Sequence, residues 1–296
     1  MNIRDFVLLV LICLAWAFST VLSKVVISEL NAPPLFYAAA RFTVVALVCA
    51  PWLFPAPKPL WRVMVVGLCM GAGSFALVFI GLETATPSAT AIVSQLGVPI
   101  TTILSVIVLG EVIGWRRRLG ILLAFSGTML VMWDPRGVSA STGLAFVAAA
   151  AVCSSVGAIM MRQMSKVRPL QFQAWVGLVS AVPLAFGTLL LEEQVLPRAI
   201  NGGWMLFFAV MFAALVVSVC AHTTYYGLIK KYEASLIAPL TLMCPLFTIA
   251  LGMAMTGDRL TVGTVLGSSI ALGGVLLIAV RRNSKLPISR TAAATR

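Results

Sequence analysis

The chain has 296 residues, of which 60% are hydrophobic and 10% are charged, and its formal net charge is +12. Soluble domains are about half apolar and a quarter charged, so this composition excludes an ordinary soluble protein. In a chain this apolar, the positive charge indicates membrane topology and attraction to anionic lipid rather than nucleic-acid binding.

Ten apolar stretches follow one another along the chain with short gaps between them. A helix of about 20 apolar residues crosses the roughly 30 Å hydrocarbon core of a bilayer. The predicted spans are 6–26, 34–54, 61–82, 88–109, 115–133, 142–161, 170–191, 204–228, 234–255 and 261–280. No gap is long enough to fold separately, so we predict an all-α membrane protein with ten transmembrane helices.

The first apolar stretch could be mistaken for a signal peptide, because Ala15-Trp16-Ala17 resembles a cleavage site. Asp5 offsets the charge of Arg4, however, and the apolar run continues well past Ala17. We therefore expect this segment to be retained as the first transmembrane helix.

Lysine and arginine are concentrated in alternate gaps between the spans. Sixteen of the 21 basic residues fall in one set of gaps and in the termini, whereas the other set holds only Arg136, Arg198 and Arg259. Positively charged loops remain in the cytoplasm. We therefore expect both termini to be cytoplasmic, and the basic stretch 282–296 to be a disordered tail near the inner leaflet.

The two halves of the sequence repeat. The matched positions, at offsets of 146 or 147, are Gly81 with Gly227, Leu82 with Leu228, Pro99 with Pro245, Gly110 with Gly257, Glu111 with Asp258, Gly120 with Gly267, and Gly127 with Gly274. Each half holds five helices, and an odd number makes the second half enter the membrane upside down. We predict two inverted five-helix repeats, 1–137 and 138–281. Such repeats permit alternating access and place the binding site near the midplane between the halves.

Two prolines lie at matching positions deep in their spans. Pro99 and Pro245 are each about eleven residues into a predicted helix, where proline removes a backbone donor and clashes with the preceding turn. We predict that both helices are interrupted there. Interrupted helices at matching positions indicate a transporter's binding site, so both prolines are candidate hinges, with a static kink as the alternative.

Charged residues within the spans are scarce. Arg41 lies about seven residues inside the outer end of its span, and either pairs with Glu83 or another group or binds a substrate carboxylate. No Asp or Glu lies in the middle of any span. Proton-coupled exporters of lipophilic cations normally need such a carboxylate, so its absence favours a neutral or zwitterionic substrate. We expect Glu111 and Asp258 to cap the fifth and tenth helices.

The other polar and aromatic residues at depth are candidates for substrate contact. Gln95 lies one turn before Pro99 and offers two donors and an acceptor without charge, which suits a zwitterion or an amide. His222 is the only histidine, and either titrates and gates or makes one hydrogen bond to a neighbour. The predicted substrate-binding residues are Trp16, Arg41, Phe79, Ser94, Gln95, His222 and Tyr225.

The sequence does not predict enzymatic chemistry. One histidine cannot supply an H-E-x-x-H pair or a His-rich metal site, and no paired carboxylates lie at depth for acid–base catalysis. All six cysteines fall in apolar runs without C-x-x-C spacing. We expect no catalytic residues, no metal, no cofactor and no disulfide.

The assembled features are similar to those of the drug/metabolite transporter superfamily, in its EamA-type ten-helix branch. The resemblance covers nearly the whole chain and rests on Trp16, Arg41, the run 84–91 entering the fourth helix, Pro99, Gly110-Glu111 and the stretch 120–127. The second half departs from the pattern at 230–233 and in having Asp258 where Glu is expected. Those departures leave the substrate open.

Within this branch the chain most resembles bacterial aromatic amino acid exporters. The resemblance implies export of aromatic and other neutral amino acids across the inner membrane. One alternative is a multidrug or other small-metabolite exporter of the same superfamily, and another is a channel or a scaffold that does not transport. We expect a small-molecule substrate, a lipid environment and a monomer, with a dimer as the alternative.

Overall fold

The structure is a computed structural model that describes residues 1–133, 138–164, 167–232, 236–237 and 240–279. The regular structure of these residues is helical and contains no strand. The helices are α1 (Ile3–Glu29), α2 (Pro34–Trp52), α3 (Leu60–Thr84), α4 (Pro87–Leu109), α5 (Trp115–Met132), α6 (Val138–Arg162), α7 (Pro169–Leu191), α8 (Val195–Leu228), α9 (Met243–Met255) and α10 (Val262–Ala279). The predicted repeat ends at 137 and 281 and the tail 282–296 lie outside the described residues.

Eight of these helices are long and apolar enough to cross a bilayer, which makes the chain a multi-pass membrane protein. The exceptions are α5 and α9. Three arginines, Arg116, Arg117 and Arg118, lie in the first turn of the 18-residue α5. α9 has 13 residues and follows a stretch that is only partly described. A total of ten membrane-crossing helices therefore stays a prediction.

Both predicted proline interruptions are present. α4 consists of two helices, Pro87–Ser94 and Gly97–Leu109, joined by a turn at 95–96. A turn at 241–242 precedes Pro245 by the same number of residues. Proline has no N–H to donate to the carbonyl four residues earlier, so the helical hydrogen-bond ladder fails one turn before each proline.

Glycines bring α5 and α10 into backbone contact. A Cβ on Gly120 would lie 2.7 Å from the carbonyl oxygen of Gly274, and one on Gly127 would lie 2.5 Å from that of Gly267. Conversely, a Cβ on Gly267 would lie 2.7 Å from the carbonyl oxygen of Gly127, and one on Gly274 would lie 2.6 Å from that of Gly120. Because the earlier residue of one helix faces the later residue of the other, α5 and α10 run antiparallel.

A second glycine contact joins α3 to α7. A Cβ on Gly71 would lie 2.9 Å from the Val176 side chain and even closer to the Ser180 hydroxyl. Ser180 in turn donates a hydrogen bond to the Gly67 carbonyl at 3.2 Å. The small residues Gly67 and Gly71 therefore permit close packing of α3 against α7.

The acidic residues that follow α4 and α9 do not cap the helices that the sequence suggests. Asp258 accepts hydrogen bonds from Ser88 at the start of α4, and the hydroxyl of Thr261 caps α10 by accepting from the Thr264 N–H at 3.1 Å. Gly257, with a φ of 65°, turns the chain after α9 so that Asp258 lies beside α4. Glu111 does not cap α5 but pairs with Arg162 of α6.

Candidate functional site

Three of the predicted site residues meet where α1 packs against α8. The ring centroid of Trp16 lies 5.2 Å from that of His222 and 5.1 Å from that of Tyr225. The Trp16 and Tyr225 rings meet edge to face at an interplanar angle of 74°. Edge-to-face pairs at this separation are favourable, so the cluster is a packed aromatic contact between the two helices.

A π-helical segment in α8 fixes the histidine. The segment Phe212–Ala221 ends immediately before His222, and its wider turns leave carbonyls that side chains can reach five residues back. His222 Nδ1 lies 2.7 Å from the Val217 carbonyl oxygen, and the Ser218 hydroxyl donates to the Ala213 oxygen at 3.0 Å. Because a carbonyl only accepts, Nδ1 carries the proton and the ring orientation is set by the backbone.

One cavity, of about 230 Å³, lies on the side of this cluster that faces the Lys24 end of α1. We call it the outer cavity, since the sequence predicts that end to be outside. It is lined by Trp16, Ser19, Thr20, Ser23, Arg41, Phe75, Val78, Phe79, Leu82, Val217 and His222. The four lining residues of α1 recur at intervals of three and four, so one face of that helix supplies an indole and three hydroxyls.

Arg41 is buried in the wall of the outer cavity, with 2% of its surface exposed. Its Nε and Nη2 atoms donate to the hydroxyl oxygen of Ser218 at 3.2 and 3.0 Å. The guanidinium carbon lies 4.3 Å from the Phe75 ring centroid, within cation–π range. The possible ion pair with Glu83 is not formed, because Glu83 is exposed at the end of α3 while Arg41 lies deeper in α2.

Two charged side chains form hydrogen bonds with backbone groups at helix ends near the outer cavity. Lys24 Nζ donates to the carbonyl oxygens of Leu82 and Glu83, at 2.8 and 3.2 Å, where α3 ends. The Glu192 carboxylate accepts from the first free N–H groups of α2, with 2.7 Å to that of Leu35. Burial raises the pKa of Glu192, and the two N–H donors oppose that rise. These contacts bind α1 to α3 and α7 to α2 at the end predicted to be outside.

A larger cavity, of about 730 Å³, lies on the other side of the aromatic cluster. We call it the inner cavity, because it extends to the arginine-rich ends predicted to be cytoplasmic. Its lining is Met70, Gly97, Val98, Thr101, Thr102, Ser105, Glu111, Arg117, Ser154, Ser155, Ala158, Arg162, Tyr225, Ile278 and Ala279. Since Tyr225 lines this cavity and Trp16 lines the outer one, their ring contact lies between the two.

The rim of the inner cavity carries an ion pair. Arg162 Nη2 donates to the Glu111 carboxylate at 2.9 Å. Partial burial alone raises the pKa of Glu111, but the Ser105 hydroxyl and the Arg162 guanidinium outweigh it and leave the pKa below its usual value. The carboxylate is therefore ionised at neutral pH, and the rim presents charges of both signs.

The structure brings together only part of the predicted site. Trp16, Arg41, Phe79 and His222 line the outer cavity, and Tyr225 lines the inner one. Ser94 and Gln95 lie at the interruption of α4 and line neither cavity. Within the described residues, no cluster of His, Cys, Asp or Glu could hold a metal ion.

Two serines that the predicted site does not include connect its elements. Ser218 is the hydrogen-bond acceptor of the Arg41 guanidinium. Ser155 of α6 donates to the Gly97 carbonyl at 3.1 Å, just beyond the interruption of α4. A mid-span serine is a weak signal in sequence, because it usually bonds a carbonyl of its own helix. The available clue in the sequence to a role for Ser218 was its position four residues before the sole histidine, His222.

Several known proteins are similar to this chain. The "Probable amino-acid metabolite efflux pump" of Salmonella typhimurium is 24% identical over 97% of this chain and 99% of its own length. The protein of the same name in Escherichia coli is 25% identical over 94% and 95%. An "Uncharacterized transporter" of Archaeoglobus fulgidus is 24% identical over 84% and 90%. A crystal structure at 19% identity covers 93% of this chain and 94% of its own with a TM-score of 0.60, so the folds are similar.

The EamA-like transporter family matches the chain twice, at residues 5–133 and 141–280. Together the two matches cover most of the chain and nearly all of its helices. The helical membrane architecture and the cavities between the helices agree with a transporter. The chain belongs to the EamA-like transporter family.

Proposed function

We propose that the protein exports aromatic and other neutral amino acids across the bacterial inner membrane by alternating access through a central cavity. Two similar proteins are named probable amino-acid metabolite efflux pumps, which favours this substrate class. The observation that carries the proposal is the aromatic cluster of Trp16, His222 and Tyr225, which lies between two cavities on opposite sides of the helix bundle.

The helix contacts favour an inverted repeat. α5 pairs with its counterpart α10, and α2 with its counterpart α7. In the proposed repeat, α1 corresponds to α6, and α9 corresponds to α4. The contact of α1 with α9 is therefore equivalent to that of α6 with α4, and both contacts are present. The antiparallel α5–α10 pair fits counterparts that point in opposite directions. The double family match, once in each half, supports the repeats 1–137 and 138–281. Two equivalent halves facing opposite ways are the basis of alternating access.

The interruptions before Pro99 and Pro245 are suitable hinges. The second half of α4 supplies five residues to the inner cavity, Gly97, Val98, Thr101, Thr102 and Ser105. A change of angle at the turn 95–96 would move this wall while the first half of α4 stayed fixed to Asp258. Ser94 and Gln95 lie at this hinge, where they would meet the substrate as the cavities exchange.

The size and charge of the outer cavity favour a small solute. Its volume of about 230 Å³ is below the roughly 300–1,000 Å³ of pockets for drug-sized ligands. None of the residues that line it is acidic, and it contains the Arg41 guanidinium. A lipophilic cation would be repelled there. The described chain forms both cavities alone, which supports a monomer as the transporting unit.

The proposal is tested by counterflow into liposomes that contain the purified protein. Labelled Phe, Trp, Thr and Met should accumulate against unlabelled internal amino acid, with saturation. Trp16→Ala should lose at least about tenfold of that rate, because the substrate passes the aromatic cluster. Trp204→Ala is the matched control, since Trp204 is 78% exposed and lines neither cavity.

The alternatives give different results in the same assay. Movement of a cationic dye without any amino acid would favour a multidrug exporter. Flux that neither saturates nor shows counter-exchange would indicate a channel. Equal loss of flux in both tryptophan variants would remove the aromatic cluster from the proposed site.

A further inference from the structure

Arg41 is a buried cation without a counter-ion. It is 2% exposed in a membrane-crossing helix, and no carboxylate pairs with it among the described residues. Its hydrogen bonds from Nε and Nη2 both end on the Ser218 hydroxyl, which donates its own proton to Ala213. Ser218 is therefore a neutral acceptor that leaves the positive charge uncompensated. A charge at this depth is costly unless it meets an opposite charge or water.

The same cavity offers unused hydrogen-bond donors. Arg41 Nη1 has no hydrogen-bond acceptor among the described residues. The indole N–H of Trp16, which lines the cavity with Arg41, is buried without an acceptor. Buried donors are nearly always paired in folded proteins, so this unpaired indole N–H beside the guanidinium points to an absent acceptor. A carboxylate matches the fork of a guanidinium and accepts at two oxygens.

The cavity offers little to an ammonium group. None of its lining residues is acidic. The aromatic face nearest to Arg41 is that of Phe75, and the guanidinium already lies over it at 4.3 Å. A second cation in this space would be repelled by Arg41 and would find no anionic partner. The Phe79 ring, 5.8 Å from the Phe75 ring, is an apolar wall suited to an aromatic side chain.

We infer that the outer cavity recognises a carboxylate through Arg41, and that the α-amino group of an amino acid is dispensable there. The substrate class is therefore the arylalkyl carboxylates, of which aromatic amino acids are one instance and their deaminated analogues another. This inference rests on the proposed function for the location of the substrate. A small inorganic anion such as chloride has the same charge, and the experiment separates the two sources.

The test measures competition against labelled Phe in liposome counterflow, with labelled 3-phenylpropanoate as a second substrate. 3-Phenylpropanoate should inhibit Phe exchange within about threefold of unlabelled Phe, and should itself be exchanged. Phenethylamine and phenylalanine amide, which lack the carboxylate, should be at least about tenfold weaker. Replacing chloride by sulfate should change these values less than twofold. A large gain on removal of chloride would assign Arg41 to chloride and overturn the inference.

Variants test the residue itself. Arg41→Gln should lose at least about tenfold of the inhibition by 3-phenylpropanoate, and Arg41→Lys should retain more of it than Arg41→Gln. Ser218→Ala removes the internal acceptor but keeps the cation, so carboxylate competition should persist. Size-exclusion profiles and thermal midpoints establish that each variant is folded. If Arg41→Gln does not fold, the ranking of competitors on the unmodified protein tests whether the carboxylate is recognised.

The outcomes separate this inference from the proposed function. If Phe is exchanged but phenethylamine competes better than 3-phenylpropanoate, amino-acid export stands and the Arg41 inference fails. If Phe is not moved but 3-phenylpropanoate is, with dependence on Arg41, the inference stands and amino-acid export fails.

Discussion

Asp258 and Ser88 are joined by two hydrogen bonds that link the loop after α9 to the start of α4. The carboxylate oxygen Oδ2 of Asp258 accepts from the backbone N–H of Ser88 at 3.0 Å and from its hydroxyl at 2.5 Å. The other oxygen accepts from the Thr256 hydroxyl at 2.8 Å. Ser88 follows Pro87, the first residue of α4, so its N–H is among those without an intrahelical partner. The contact joins the two predicted repeats at the end predicted to be outside.

Asp258→Asn should destabilise this junction. The substitution keeps the shape but removes the negative charge from the positive end of a helix dipole and exchanges an acceptor oxygen for a donor. The expected loss is roughly 0.5–2 kcal/mol, the usual range for a helix cap, seen as a lower thermal midpoint in detergent. Ser88→Ala, which keeps the backbone bond, should lose less. Arg259→Gln is the control, because Arg259 is exposed and adjoins Asp258 in the chain. Equal thermal midpoints for Asp258→Asn and Arg259→Gln would contradict this role.

The capping rule illustrates how far local sequence reasoning extends. It correctly predicts that an acidic residue after α9 lies at a helix N-terminus. It assigns the wrong helix, because the partner is set by the turn at Gly257 and by the packing of α9 against α4, and neither is a local property. The same holds for Glu111, whose partner Arg162 is brought near by the contact of α4 with α6.

The candidate site also contains residues that local sequence reasoning predicts and residues that depend on helix packing. Ionisable groups at membrane depth avoid lipid, so Arg41 and His222 turn towards the bundle interior, as their sequence positions predict. Gln95 also lies at depth, but the helix break before Pro99 sets its direction, and rotation at a break depends on neighbouring helices. Ser218 was not predictable as an arginine partner, since its role depends on how α2 packs against the π-helical segment of α8.

Gly127→Ala should separate α5 from α10. The added methyl group would lie 2.5 Å from the Gly267 carbonyl oxygen and closer still to the backbone of Ala271. Backbone atoms of a neighbouring helix cannot rotate away as a side chain can, so the helices themselves must move. We expect a loss of roughly 1–3 kcal/mol, the range for overpacked cores.

The matched control for Gly127 is Gly273→Ala, because no heavy atom lies within 4 Å of the added methyl group. This variant should be neutral or slightly stabilised, since alanine is the better helix former. The measurement is the fraction of monodisperse protein after heating in detergent. A Gly127→Ala protein as heat-resistant as Gly273→Ala would show that α5 and α10 do not pack this closely.

Pro99→Ala should restore the helical ladder of α4. Alanine supplies the missing N–H to the Gln95 carbonyl, so the turn at 95–96 should close and the helix should straighten. We expect a higher thermal midpoint together with slower counterflow, since a continuous helix cannot bend at the proposed hinge. Pro183→Ala is the control, because α7 is continuous across Pro183. Unchanged exchange in Pro99→Ala would leave the interruption as a static kink.

The Glu111–Arg162 pair gives a pH-dependent prediction. The pKa of Glu111 is lowered from its usual 4.5, so the folded protein holds the carboxylate ionised more strongly than the unfolded chain does. The stabilisation is therefore fully present above about pH 4.5 and is lost as the pH falls through the lowered pKa. Because the two side chains are 34% and 48% exposed, solvent screening keeps the effect below about 1 kcal/mol.

Thermal midpoints of the wild-type protein and Glu111→Gln, measured from neutral to acidic pH, test this dependence. The wild type should be more stable at neutral pH, and the difference should vanish on acidification, since the protonated carboxyl no longer attracts Arg162. Glu193→Gln is the control, because Glu193 is exposed and forms no ion pair with a described residue. Reversing both charges, with Glu111→Arg and Arg162→Glu together, should recover part of the neutral-pH stability. A difference that persisted at acidic pH would mean that Glu111 does not stabilise the protein through its charge.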